Sequence, residues 1–307
     1  MEQNAIESLI SKRINEVQIE WKKDPFPHAI IDNFLPEDIF LEVVEWTSKI
    51  NTFQDLKKSF KTYVELNKNV YGDKDLLKFS RLPIQILGGS IGKKIFENFL
   101  NGQKLISMLD APDYGGYYPF HSMKKSGMLG SHVDHSTSKL GDIHVANSIF
   151  YVSPRWENKW GGETILFNRS GLKILKKIDP IPNRLMLFIH SSISFHGVNI
   201  LNCPDNIQRN TYYMDYYVKK DELKNIKNIL KDKGFSKPVY CFHSTTFLPF
   251  FPLGIRSFKW KFIFRKDTYS YIRTLLKYLI YRYFLNNKIG FFLISIWRFL
   301  RSNKKNN

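Results

Sequence analysis

The 307 residues carry 46 Lys or Arg against 28 Asp or Glu, for a net charge of +18, and are 43% hydrophobic and 15% aromatic. That is a globular composition, long enough for one large domain or for one domain with an extension. The two cysteines, Cys203 and Cys241, form no CxxC pair; they exclude a disulfide framework and point to a reducing, intracellular setting, as does an N-terminus without a basic start and an apolar run.

In chain order, Ile6, Leu9, Ile10, Ile14, Val17 and Trp21 recur at helical spacing and predict an amphipathic helix over 2–22, ending before Pro25 and Pro27. Residues 26–34 read as a short buried entry strand, with His28 as a packed or surface histidine and not a ligand. Pro36, Glu37 and Asp38 then open a second helix to about Ile50, since proline and acids suit a first turn. Residues 51–75 are polar and lysine-rich and read as loop with surface helix, without chemistry. A further helix is expected from Ser90 to about Leu109, carried by Ile91, Ile95, Phe96, Phe99 and Leu105.

After Pro112 the pattern changes to short β-branched and aromatic runs between turn residues. Strands are predicted at 115–121, 127–134, 144–153, 163–168, 172–178, 184–190, 194–200 and 209–218, a set that suits a jelly roll. Within Ser131-His132-Val133-Asp134-His135, strand alternation places His132 and Asp134 on one face and His135 on the other. With His196 from a distant strand they would make two histidines and one carboxylate, a facial set that suits Fe(II) and leaves positions open. Gly161-Gly162 reads as a tight turn and Trp156 and Trp160 as packing residues; His121, His135, His144 and His190 are left out of the metal set.

The order of motifs carries more. His132-x-Asp134, Ile149-Phe150-Tyr151-Val152, Trp156 with Gly161-Gly162-Glu163-Thr164, Asp179 through Phe188, His196-Gly197-Val198 and Arg209-Asn210-Thr211 follow one another at workable spacing. In this the segment from about Pro112 to Val218 resembles the prolyl-4-hydroxylase-like branch of the Fe(II)/2-oxoglutarate-dependent oxygenases. The entry strand with Asp32-Asn33-Phe34-Leu35-Pro36 is similar to the usual start of such proteins.

The resemblance implies an α+β chain with a double-stranded β-helix (jelly roll) core over 112–218 and an N-terminal helical support region with entry strand over 1–111; it does not reach the basic, aromatic, largely helical extension over 219–307, which is read from its own residues. It implies His132, Asp134 and His196 as iron ligands and Arg209 as the partner of the distal carboxylate of 2-oxoglutarate. A planar, permanently charged guanidinium suits that carboxylate better than lysine does. Thr211, on the same strand face, would add a hydroxyl, and Tyr151 matches a position where relatives hold the same carboxylate with a phenol. Near Tyr117, Tyr118 and His121 a second such tyrosine is usual, but Lys124-Lys125-Ser126-Gly127 spoils the register. The implied reaction uses Fe(II), 2-oxoglutarate and O2, with ascorbate as an optional reductant, and hydroxylates a C–H bond with release of succinate and CO2. Asp134 in the ligand set favours hydroxylation over halogenation. The substrate stays open among peptidyl proline, an amino acid, a sugar and a lipid-linked group.

Beyond Val218 an acidic-basic helix, 219–233, leads into a linker-like run through Pro238, Pro249 and Pro252. From Ile255 to Asn307 thirteen cations face one acid, Asp267, so about +12 of the +18 lies in this tail. Cations and aliphatics interleave over 269–285, and 289–300 is apolar but shorter than the roughly 20 residues of a membrane span. The expectation is a cytoplasmic enzyme with a small-molecule or peptide substrate, no nucleic-acid partner and peripheral contact at the inner face of a membrane through the tail. Packing of the tail on the core or a homodimer is the other outcome, and the oligomeric state stays open. The alternative from another class is a non-catalytic jelly-roll binding module with a basic membrane-associating tail.

Overall fold

The computed structural model describes residues 8–12, 14, 18–50, 57–72, 81–110, 118–235 and 244–284. In chain order β1 (His28–Ile31) precedes α1 (Glu37–Ile50), a hairpin of β2 (Lys57–Lys61) and β3 (Glu65–Tyr71), α2 (Arg81–Gly88), α3 (Ser90–Phe99) and β4 (Ile106–Ser107). Then come β5 (Phe120–Val133), β6 (Ile143–Tyr151), β7 (Thr164–Phe167), β8 (Ile174–Ile178), β9 (Leu185–Ile189), β10 (His196–Val198) and β11 (Arg209–Val218). Beyond these lie α4 (Leu223–Asp232), β12 (Thr246–Phe247) and α5 (Thr268–Leu279).

The sheet order is β1-β9-β6-β11-β5-β10-β7-β8, antiparallel throughout. The first half of β5 pairs with β11 and its second half with β10. Between the halves Lys124, Lys125 and Ser126 are exposed and Ser126 takes φ 61°. The two strands expected at 115–121 and 127–134 are therefore one bent strand, and the run that spoils the motif register is the bend. It splits the order into β9-β6-β11-β5 and β5-β10-β7-β8, the two sheets of a double-stranded β-helix in an α+β chain.

Alternation along each strand sorts the side chains. Tyr151, Met186 and Phe188 of the larger sheet meet Leu166 and Ile178 of the smaller one inside. Phe150, Leu185, Leu187, Tyr212, Met214 and Tyr216 point out and pack under the helices. Phe150 is fully buried with Phe34 and Phe40 edge-on at 5.4 and 6.2 Å, and burying such a ring contributes roughly 1.5–3 kcal/mol. Trp21 stacks on Phe99 at 3.9 Å; of the helix expected over 2–22, residues 8–12 and 14 are helical, whereas 18–22 are not, with Lys22 exchanging backbone hydrogen bonds with His28, and the other residues up to 17 lie outside the described residues.

Three expectations need correction. Residues 57–71 are not loop and surface helix but a hairpin whose β3 pairs with β5, so it extends the larger sheet over the barrel mouth. The helix expected to reach Leu109 ends at Phe99, because Asn101 (φ 53°) and Gly102 (φ 83°) turn the chain into β4 on the edge of β11. The part of the linker-like run that is described returns to the core: β12 pairs with the end of β5, and 236–243 lies outside the described residues. The helix α5 follows, with Leu275 and Tyr278 packed against Ile165, Phe167 and Phe195 on the outer face of the smaller sheet. Tyr278 donates to the Ser192 carbonyl and Tyr271 to Thr62 Oγ1 at 2.9 Å. The apolar run 289–300 lies outside the described residues, and among those no helix is long and apolar enough to cross a membrane.

Of the two places open to His28, packed or at the surface, the structure gives the packed one. Its Nδ1 donates to the Phe26 carbonyl at 2.8 Å, and the Lys176 ammonium donates to its Nε2 at 3.0 Å, an arrangement that needs a neutral ring. Burial, with the Lys176 and Lys22 charges, holds it down to about 4 from 6.5. The unfolded chain takes up this proton below pH 6.5 and the folded one does not, so stability is full above 6.5 and falls as pH drops towards 4. The loss expected from this group is on the order of 2–3 kcal/mol. Urea unfolding at pH 7 and pH 4.5 should show His28→Asn losing less than the parent protein.

Candidate active site

His132 and His196 are Cα partners across β5 and β10, and Asp134 lies one residue past the end of β5. Gly197 permits this approach: a Cβ there would stand 2.5 Å from the Leu129 carbonyl oxygen. The ligand atoms of His132, Asp134 and His196 lie within 4.8 Å of one another, with each Nε2 3.4 Å from a different Asp134 oxygen. Both Nδ1 atoms face backbone carbonyls, Gly130 for His132 (2.9 Å) and Ser194 for His196 (3.0 Å). A carbonyl only accepts, so each Nδ1 carries the proton and each Nε2 turns a lone pair toward the carboxylate. Rings of Phe247 on His132 and Phe188 on His196, each at 4.9 Å, hold the imidazoles in place.

The electrostatics call for a cation. Burial, with His132 nearby, holds His196 down to about 4 and therefore neutral. Burial opposes ionisation of Asp134, and positive charge at His196 and His132, which these rings carry only when protonated, is what outweighs it and holds the carboxyl well below its usual range. Asp134 Oδ2 is buried and has no hydrogen-bond partner. Two lone pairs and an anion converging on one point are satisfied by a divalent metal, and this donor set fits Fe(II).

A second group, His135, His144 and Asp215, is equally close-set but has spent its donors. His144 has carbonyl oxygens on both ring nitrogens, His135 at 2.9 Å and Ala146 at 3.0 Å. Burial disfavours its charged form, but Asp215, 3.2 Å from Nε2, outweighs this and raises its pKa. His135 Nε2 is on the Tyr217 hydroxyl at 2.7 Å, and Asp215 accepts from Asn147 (2.5 Å) and Tyr213 (3.0 Å). The cluster is a buried imidazolium–carboxylate pair with its own partners.

Arg209 begins β11 and is 3% exposed. Its Nε donates to the Gly162 carbonyl (2.7 Å) and Nη2 to Thr164 Oγ1 (2.9 Å). Gly162 has φ 73°, and a Cβ there would strike the Trp156 ring at 2.8 Å, so the Gly161-Gly162 turn lets Arg209 reach this carbonyl. Tyr151 stands behind: its ring lies 5.1 Å from the guanidinium and its hydroxyl pairs with Thr164 Oγ1 at 2.7 Å. Among the described residues no carboxylate pairs with Arg209, and a buried cation without one favours an anionic ligand. Glu163, an acid whose charge acts on Arg209, is occupied by Lys177 and Asn199.

One cavity of about 340 Å³ contains His132, Asp134, His196, Arg209 and Thr211 in its wall. The inward row of β11 runs Arg209, Thr211, Tyr213, Asp215, a length of about 20 Å, and passes from the arginine to the Asn147–Asp215 contact. Residues that sequence reading missed complete the wall: Phe60, Glu65 and Lys68 from the hairpin, Thr164 from β7, and Phe247 from β12. Thr164 was visible only as the end of the Gly161-Gly162-Glu163-Thr164 motif. His121, set aside as a spare, also lines the cavity; burial, then the Lys68 and Arg209 charges, hold it well below its usual range. Tyr118 lines it as well, and Tyr117 lies outside the described residues.

Residues 118–214 match the model of the 2OG-Fe(II) oxygenase superfamily. They form an oxygenase domain of that superfamily. A domain of that superfamily implies Fe(II), 2-oxoglutarate and O2. Solved structures similar to the oxygenase include a prolyl hydroxylase from Trichoplax adhaerens in complex with a hypoxia inducible factor peptide fragment. That match has 16% identity and a TM-score of 0.42, covering 72% of this chain and 92% of that one. A Pseudomonas putida prolyl-4-hydroxylase matches at 12% identity and a TM-score of 0.40, over 69% of this chain and 100% of that one. HygX from Streptomyces hygroscopicus, with nickel and 2-oxoglutarate bound, matches at 13% identity and a TM-score of 0.43, over 62% and 82%. No curated protein sequence matches the chain significantly.

Proposed function

We propose that the oxygenase hydroxylates a C–H bond of a small-molecule or peptide substrate, with His132, Asp134 and His196 holding Fe(II) and Arg209 and Thr211 holding the distal carboxylate of 2-oxoglutarate. The observation that carries this reading is the convergence of two Nε2 lone pairs and the orphaned Asp134 oxygen in the same cavity as a buried, carboxylate-free arginine. When bound, the metal and 2-oxoglutarate would supply the activation of O2, one oxygen atom ending in succinate as 2-oxoglutarate loses CO2 and the other in the hydroxyl that the substrate gains.

The chain's own part is positioning. Gly130 and Ser194 fix the histidine tautomers, Gly162 and Thr164 aim the guanidinium, and Tyr151 braces Thr164 from behind. Tyr213, Asn147 and His135 line the cavity beyond Thr211 and give it a polar end where a substrate hydroxyl or amide would be met. Glu65 and Lys68, 3.3 Å apart, lie on the hairpin at the rim, where substrate choice is made. The catalytic unit would be 112–218, supported by 1–111 and followed by 219–307, with ascorbate as an optional reductant, a cytoplasmic location and no nucleic-acid partner.

Purified protein with Fe(II) should convert 2-oxoglutarate to succinate, and the rate should rise when the right class among prolyl peptides, amino acids, sugars and lipid-linked groups is added. Absence of both succinate formation and Fe(II)-dependent 2-oxoglutarate binding would sink the reading.

A further inference from the structure

We infer that residues 255–266, with the outward stripe of α5, form a surface that docks on an anionic membrane. The side of this segment facing the protein is pinned. Phe262 stacks on Tyr63 at 4.7 Å, Thr268 Oγ1 donates to the Phe262 carbonyl, and Tyr63 and Thr268 share a hydrogen bond of 2.9 Å. With Phe262 turned in, its neighbours are forced out: Trp260 is 72% exposed, Phe264 83%, Ile255 62% and Tyr269 84%. Along the helix and the turn that continues it, Tyr269, Arg273, Leu276, Lys277, Ile280 and Tyr283 follow at helical spacing and are exposed. Leu275 and Tyr278 face the core. The apolar stripe is thus left over after the helix has packed.

Charge selects the occupant. From 255 to 284 the sole acid is Asp267, and it is taken by Arg265 at 3.1 Å. Arg256, Lys259, Lys261, Lys266, Arg273 and Lys277 are exposed among the aromatics, and among the described residues none has an acidic partner. Trp, Phe and Tyr side chains at head-group depth, flanked by cations that reach lipid phosphates, are the chemistry of an interfacial surface. Each cation near an anionic leaflet is worth about fivefold in partitioning. The platform is also braced against the cavity rim: Phe247, which lines the cavity, meets Tyr271 at 5.4 Å, and Tyr63 caps the hairpin that carries Glu65 and Lys68. Docking therefore sets the rim beside the head groups and favours a substrate carried at the membrane. That last step rests on the oxygenase reading of the cavity, whereas the docking does not.

The test is co-sedimentation of the full-length protein with vesicles of mixed phosphatidylserine and phosphatidylcholine, against pure phosphatidylcholine. The protein should pellet with the anionic vesicles and be released by salt. Trp260→Ser with Phe264→Ser, and separately Lys259→Glu with Lys261→Glu, should each lower partitioning about tenfold or more while thermal unfolding and succinate formation in solution stay unchanged. The inference is overturned if the parent protein stays in the supernatant, if both double variants pellet as it does, or if the surface proves to hold a nucleic acid or a second copy of the chain and no vesicle. Since vesicle binding and succinate formation are read separately, loss of the catalytic reading would leave the docking result standing, and the reverse.

Discussion

Asp134→Ala should lower Fe(II)-dependent succinate formation by at least about 100-fold, since even groups that merely orient metal ligands commonly cost 10–100-fold. The fold should survive. Asp134 lies past the end of β5, and its two carboxylate oxygens face the Nε2 atoms of His132 and His196 at 3.4 Å. The readout that separates a ligand from a structural residue is the metal's own effect on stability. A metal that binds only the folded state raises Tm, and in the Asp134→Ala protein that rise should vanish while Tm without metal stays near the parent value. A variant that keeps full turnover would remove Asp134 from the site and turn attention to Asp215 with His135 and His144, the other close-set group.

Arg209→Ala should raise KM for 2-oxoglutarate about 10–150-fold with a smaller change in kcat, because a charge-assisted, two-pronged contact is worth roughly 1.5–3 kcal/mol. Nε and one Nη2 hydrogen are committed to Gly162 and Thr164, which leaves the rest of the guanidinium for the ligand. Arg209→Lys keeps the charge but loses the fork and should fall between the two. Thr164→Val, which removes only the aiming hydroxyl shared by Arg209 and Tyr151, should shift the same KM in the same direction by less. Unchanged 2-oxoglutarate affinity in Arg209→Ala would give this arginine a purely structural role and make Lys68, on the same cavity wall, the next candidate.

Features that depend on neighbours along the chain were legible without any coordinates. Alternation set the inward faces of the strands, so His132 with Asp134, and Arg209 with Thr211, could be paired before any contact was known. The order of motifs from His132 to Arg209 pointed to the family, and with it to His196 as the distant partner. Pairings between segments far apart were not legible, because no periodicity signals the partner. The hairpin 57–71 is lysine-rich because one face meets solvent at the barrel mouth, and that polarity hid its strands until β5 supplied the hydrogen bonds. Phe247 could be placed on His132 only once β12 joined the edge of β5. The helix α5 carries apolar residues on two sides, and which side became core depended on the shape of the smaller sheet beneath it: Tyr278 went in, and Leu276 and Ile280 stayed out. His144 and Asp215 each look like an isolated polar residue in a strand, and only the register of β6 on β11 brings them together as a buried pair.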